Sequence, residues 1–116
     1  MERYHRDIGL PENAEKLLDR FFAGFNSVRY SHHAKLETIH DRYGIIPVVR
    51  KDQLKPENCF ELFVYGNVIA KAVFRVEGAH SDHCYSVSAE GIVVTCWTNA
   101  KDDAHATLDA AQYSVV

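Results

Sequence analysis

The feature that most constrains this chain is a change of hydrophobic period at Cys59. From there CFELFVY, VIAKAVFRV, HCYSVS and IVVTCWTN read as four period-two runs rich in β-branched and aromatic residues. Between them lie Gly66-Asn67, EGAHSD and AEG. These connections hold turn formers and are too short for a crossover helix, so the runs predict an antiparallel four-stranded meander.

Upstream of Cys59 the period is helical. Pro11 suits a first helical turn, and Glu12 and Glu15 suit its positive end. Leu17, Phe21 and Phe25 recur at i, i+4 and i+8, and Leu18 pairs with Phe22, so one broad face is apolar. A second helix is expected from the N-cap Ser31 to the C′ residue Gly44, with Leu36, Ile39 and Tyr43 as its inner stripe. His33, Glu37 and His40 fall on a neighbouring stripe. GIIPVV (45–49, led by Gly44) predicts a short edge strand limited by Pro47, and KDQLKPEN predicts a loop. The expected architecture is α+β: two N-terminal helices packed on a four-stranded antiparallel meander, one domain over residues 1–116.

Strand alternation then sorts the faces. Val68, Ala70, Ala72, Phe74 and Val76 are expected to point to the core, with Ile69, Lys71, Val73 and Arg75 opposite. Lys71 and Arg75 thus share a face, about 13 Å apart along the strand. In the last strand Val93, Thr95, Trp97 and Asn99 share one face and Ile92, Val94 and Cys96 the other. One sheet face is therefore oily, and the other mixes Lys71, Arg75, Thr95, Trp97 and Glu61.

Bulk properties narrow the function classes. A chain of 116 residues with 47% apolar and 25% charged residues supports one ordinary core. No run is long enough to span a membrane, and MERYHRDIGLPENAEK lacks the apolar centre of a signal peptide, so a cytoplasmic location is expected. Cys59, Cys84 and Cys96 are odd in number, show no C-x-x-C spacing and read as reduced, buried residues. Net charge is −3 but unevenly spread. Arg29 to Arg75 holds eight Lys/Arg against five Asp/Glu, and Glu77 onward holds one Lys against six acids. A polyanion would meet the middle of the chain. Neither His80-x-x-His83-Cys84 nor Glu37-x-x-His40 completes a structural zinc or di-iron ligand set, so no metal or other cofactor is expected.

Three local patterns, in order, carry a resemblance. They are YSHHA opening a helix that closes in DRYGI, the Lys- and Arg-bearing run VIAKAVFRV, and the closing GIVVTCWTNAKDDAHATLDAAQY. Over about residues 30 to 113 the chain resembles the BECR superfamily of ribonucleases, which contains barnase, the RelE and ParE toxins and colicin-type tRNA nucleases. The resemblance implies metal-independent RNA cleavage: the ribose 2′-OH attacks the adjacent phosphorus, a base takes its proton, cations steady the phosphorane and an acid protonates the leaving 5′-oxygen. It implies His33, Lys71, Arg75, Thr95, His105, Thr107 and Tyr113 as the catalytic set. Tyr65, Trp97 and Asn99 would contact substrate, the aromatic rings by stacking on a base. The implied partners are tRNA or mRNA and a cognate antitoxin or immunity protein, with action in the cytoplasm of the producing cell or of a target cell into which the chain is delivered. The acidic C-terminal third departs from the basic surfaces common in such nucleases. It suits a competing class, a non-catalytic protein-binding module such as an antitoxin, an immunity protein or a phage accessory protein.

Overall fold

In a computed structural model that describes residues 1–103 and 110–115, the period change at Cys59 marks the start of the central sheet. The elements run β1 (Glu2–His5), α1 (Ala14–Ala23), β2 (Arg29–Tyr30), α2 (His32–His40), β3 (Cys59–Tyr65), β4 (Val68–Glu77), β5 (Ser81–Ser88) and β6 (Ile92–Ala100). The meander β3-β4-β5-β6 is antiparallel as the alternation predicts. The fold is α+β, but the expected four-stranded antiparallel sheet is corrected to a mixed sheet of six strands, ordered β1-β3-β4-β5-β6-β2. β1 adds antiparallel to β3, and β2 adds parallel to β6. Neither extra strand carries a sequence signal: β1 spans four residues and β2 two, too short for a period to register.

α1 lies across β4 and buries Leu17, Leu18 and Phe21. It starts three residues beyond Pro11, whose carbonyl accepts from the Ala14 N–H. Phe21 and Phe22 meet Phe74 of β4 with ring centroids 6.3 and 5.7 Å apart. Phe74, Tyr85, Val87 and Val93 complete the main core under the helix.

Two register shifts rewrite the expected faces. Phe63 pairs with Lys71 but Val64 with Ile69, so one extra β4 residue is accommodated between them. Val68 therefore stands 61% exposed and Ile69 is buried at 2%, the reverse of the alternation read from Phe74 backwards. In β6, Thr95 pairs with Ser86 but Val93 with Val87. This shift turns Val93 into the core beside Cys96 while leaving Thr95 and Trp97 on the opposite face.

α2 is capped by Ser31, whose hydroxyl accepts from the Ala34 N–H at 3.0 Å. It ends at His40 rather than near Gly44, because Asp41 turns the chain and its carboxylate accepts from the Tyr43 N–H. The expected inner stripe is also corrected: Leu36, Ile39 and Tyr43 are 43, 60 and 67% exposed. Ala34, fully buried, and Glu37 face β6 instead. The small Ala34 permits close approach, and Glu37 accepts from the β6 backbone at Cys96. GIIPVV forms no strand. Side chains pin it: the Tyr85 hydroxyl donates to the Pro47 carbonyl at 2.6 Å and the Tyr30 hydroxyl accepts from the Val49 N–H at 2.9 Å. KDQLKPEN contains short 3-10 turns at Lys51–Gln53 and Pro56–Asn58.

The β5–β6 turn depends on Gly91. Its φ is +80°, and a Cβ there would stand 2.6 Å from Phe25 ring atoms. Gly91→Ala combines left-handed strain with overpacking and is expected to cost about 2 kcal/mol. Thermal unfolding should register this as a drop in Tm of roughly 6–10 °C.

Candidate functional site

The sheet face away from α1 holds a second, smaller apolar cluster of Phe60, Val73 and Cys84, with Phe63 and Trp97 against it. Around it the register assembles polar groups. His5, Glu61, Val73, Ser86 and Thr95 form one row across the sheet. Phe63 and Lys71 lie in the next row on one side, and Cys84 and Trp97 on the other. A cavity of about 270 Å³ opens on this face, lined by Arg3, Glu61, Lys71, Ser86, Thr95 and Trp97 among others. It holds two cations against one carboxylate.

Glu61 is the buried carboxylate on the floor, 2% exposed. The Arg3 Nε donates to it at 2.5 Å, and the Tyr113 hydroxyl donates at 3.4 Å. Burial, then the Glu61 charge, push the Tyr113 hydroxyl above its ordinary 10.0, so it stays protonated as a donor. Lys71 stands over the Phe63 ring with its Nζ 4.2 Å from the centroid and makes no ion pair among the described residues.

At the β6 margin the site continues onto α2. The Thr95 hydroxyl donates to Glu37 Oε1 at 2.7 Å, and the Cys96 N–H donates to the same oxygen at 3.2 Å. His33 Nε2 sits 3.3 Å from that oxygen, one helical turn before Glu37, on a ring that is 72% exposed. His33, Glu37, His40 and Trp97 line an adjoining cavity of about 380 Å³, so Trp97 is common to both. Thr95 has spent its one proton on Glu37, and its oxygen keeps lone pairs for an incoming donor.

Of the residues singled out from sequence, His33, Lys71, Thr95 and Trp97 come together around these cavities. Arg75 shares their face but is committed elsewhere. It donates to Asp82 at 2.8 Å, to the Asp103 carbonyl at 2.7 Å and to the Ala100 carbonyl at 2.9 Å, and so ties down the chain after β6. Asn99 pairs with Asp82 near that tie and does not line the Lys71 cavity. Tyr65 is 58% exposed at the β3–β4 turn, also off the cavity. Tyr113 is buried, its ring 5.2 Å from His5 and 4.8 Å from the Arg3 guanidinium, and it anchors the C-terminal segment over Glu61. His105 and Thr107 lie outside the described residues.

Arg3 and Ser86 were missed. Arg3 sits on a strand too short to read, and Ser86 is an ordinary strand serine until its neighbours are known. Glu37 was visible as the i+4 neighbour of His33, although its link to Thr95 was not. Burial pushes the thiols of Cys59 and Cys84 up to about 12 and that of Cys96 to about 11, so they pack as small apolar side chains and offer no thiolate near neutrality. Among the described residues no three His, Cys, Asp or Glu side chains gather as a metal-ligand group, and no helix is long and apolar enough to cross a membrane. The chain matches no family model, no curated protein and no solved structure.

Proposed function

We propose that this chain is a small metal-independent endoribonuclease whose site is the cavity between Lys71 and Thr95. The observation that carries the reading is the Thr95–Glu37 hydrogen bond at 2.7 Å on the rim of a cavity lined by Lys71 and Arg3. Because Thr95 donates to Glu37, it receives a hydrogen bond from a ligand hydroxyl, and a ribose 2′-OH is such a donor. As that oxygen attacks phosphorus, its proton passes to Thr95 Oγ1 while the Thr95 proton passes to Glu37. His33 beside Glu37 holds the carboxylate in place. Lys71 and Arg3 offset the charge gathering on the phosphorane oxygens. Trp97 offers a flat ring to a base. His105, implied by the family resemblance, remains the candidate to protonate the leaving 5′-oxygen, which gives a 2′,3′-cyclic phosphate and a free 5′-hydroxyl.

The test is the integrity of total RNA after induction of the wild-type chain in cells, beside His33→Ala, Thr95→Val and Lys71→Ala. Discrete fragments are expected with wild type and none with Thr95→Val or Lys71→Ala, although both variants stay folded and Thr95→Val loses only the roughly 1–3 kcal/mol of its bond to Glu37. Fragments that persist in Thr95→Val would remove the relay.

A second reading, the protein-binding module, is favoured by the exposed Leu36, Ile39, Tyr43, Ile45 and Val48 that follow one another along α2 and the segment after it. Apolar side chains grouped on a surface mark interaction sites. Intact RNA in every culture would turn the assignment to this reading.

A further inference from the structure

Ser86 carries a hydroxyl where the fold has no use for one. It is 2% exposed, and its Oγ has no hydrogen-bond partner among the described residues. A buried polar atom left unpaired is costly and rare in native structures. Ser86 lines the same cavity as its cross-strand neighbours Val73 and Thr95, so the residue lies at the cavity floor, its buried Oγ just beneath it, and not inside the main core.

Lys71 is the diagonal neighbour of Ser86 on that face, since Lys71 pairs with Ser88 and Val73 with Ser86. A diagonal pair is within reach of a long side chain. Lys71 also lines the cavity and has no carboxylate partner among the described residues. Thr95 cannot supply a second donor, because its proton is held by Glu37. Arg3 is already bound to Glu61 and to Gln112. The Ser86 hydroxyl and the Lys71 ammonium are thus two donors of this cavity with no hydrogen-bond or ion-pair partner among the described residues.

We infer that Ser86 Oγ and Lys71 Nζ form a seat for one non-bridging oxygen of a phosphate ester, which makes Ser86 a substrate-binding residue. Such an oxygen is an acceptor without a proton, the complement of two open donors, one of them charged. An aromatic wall of Phe63 and Trp97 beside the seat suits a nucleoside attached to that phosphate. The inference rests on the reading of this cavity as a phosphodiester site, but it concerns binding and not cleavage.

The experiment titrates a ribonucleoside 3′-monophosphate, and separately inorganic phosphate, into wild type, Ser86→Ala and Lys71→Gln, and follows amide chemical shifts. The nucleotide is expected to bind wild type and to bind Ser86→Ala and Lys71→Gln at least about tenfold more weakly. The ligand-free Ser86→Ala protein should unfold no earlier than wild type, because the substitution removes a hydroxyl that has no partner. A purely structural serine would show the opposite, lower stability at unchanged affinity, and that result would overturn the inference. So would a wild-type protein that binds neither probe. RNA cleavage measured on the same variants separates the two claims. Nucleotide binding through Ser86 with intact RNA keeps the seat and removes the ribonuclease. RNA cleavage by Ser86→Ala at the wild-type rate keeps the ribonuclease and removes the seat.

Discussion

Phe74→Ala is expected to lower the unfolding free energy by about 3–5 kcal/mol, the range for a fully buried aromatic truncated in a core that cannot close the gap. Phe74 has no exposed surface, lies in the second strand of the meander and meets two rings of α1. It is a central contact between α1 and the sheet. Leu36→Ala serves as the counter-case. On sequence both residues belong to an inner apolar stripe, but Leu36 is 43% exposed, and its truncation should stay within about 0.5 kcal/mol. Urea unfolding with an unchanged m-value reads both. If Leu36→Ala were as costly as Phe74→Ala, α2 would pack by the stripe that sequence suggested and not by Ala34 and Glu37.

The second large effect belongs to Asp82. Its side chain is 9% exposed and is bonded to Arg75 at 2.8 Å and to Lys101 at 3.0 Å. Burial alone would push the Asp82 carboxyl up, but the hydrogen bonds from Lys101 and Arg75, with their charges, outweigh it and hold the carboxyl below its ordinary 3.8. A depressed native value means that the ionised form stabilises the fold. That contribution is fully present above the ordinary carboxylate range and is lost as pH falls from there through the native value. Asp82→Ala removes the carboxylate that bonds both the mostly buried Arg75 and Lys101, and should cost about 3 kcal/mol near neutral pH. Denaturation at pH 7 and again at pH 2 checks the sign: the gap between wild type and Asp82→Ala should shrink at the lower pH. A gap that is constant with pH would mean that Asp82 acts through packing and not through charge.

The same arrangement explains why Arg75 looked like a ligand for phosphate. Sequence shows that a guanidinium lies on the mixed face near Lys71, and it does. What it touches depends on Asp82, seven residues away across a turn, and on carbonyls at Ala100 and Asp103. Alternation reports the face of a side chain and nothing of its partner. Lys71, four residues earlier on the same strand, found none of these groups within reach and stayed open to the cavity. The two cations were equal in sequence and differ only by their cross-strand neighbours.

Thr95 shows the complementary case. Its place beside Trp97 on the mixed face was legible, because alternation holds from Thr95 to Trp97, on the far side of the register shift at Val93. Its bond to Glu37 joins residues 58 apart. His33 and Glu37 share a helix face by simple i, i+4 spacing, so half of that chain of contacts was readable and the half that reaches the sheet was not.

What sequence by itself determined is the α+β class, the antiparallel meander from Cys59 onward, the Ser31 helix cap and the mixed face carrying Lys71, Thr95 and Trp97. Each depends on spacing within one segment, where the period of the backbone forces the outcome. Only the tertiary structure decided that β1 and β2 extend the sheet, that register shifts turn Ile69 and Val93 inward, and that α2 presents Ala34 and Glu37 to β6 and leaves Leu36 outside. It also decided that Arg75 is tied down while Lys71 and Ser86 face a cavity. These outcomes are set by which distant groups meet, and a hydrogen bond or a bulge that depends on a partner strand leaves no periodic trace in the segment that makes it.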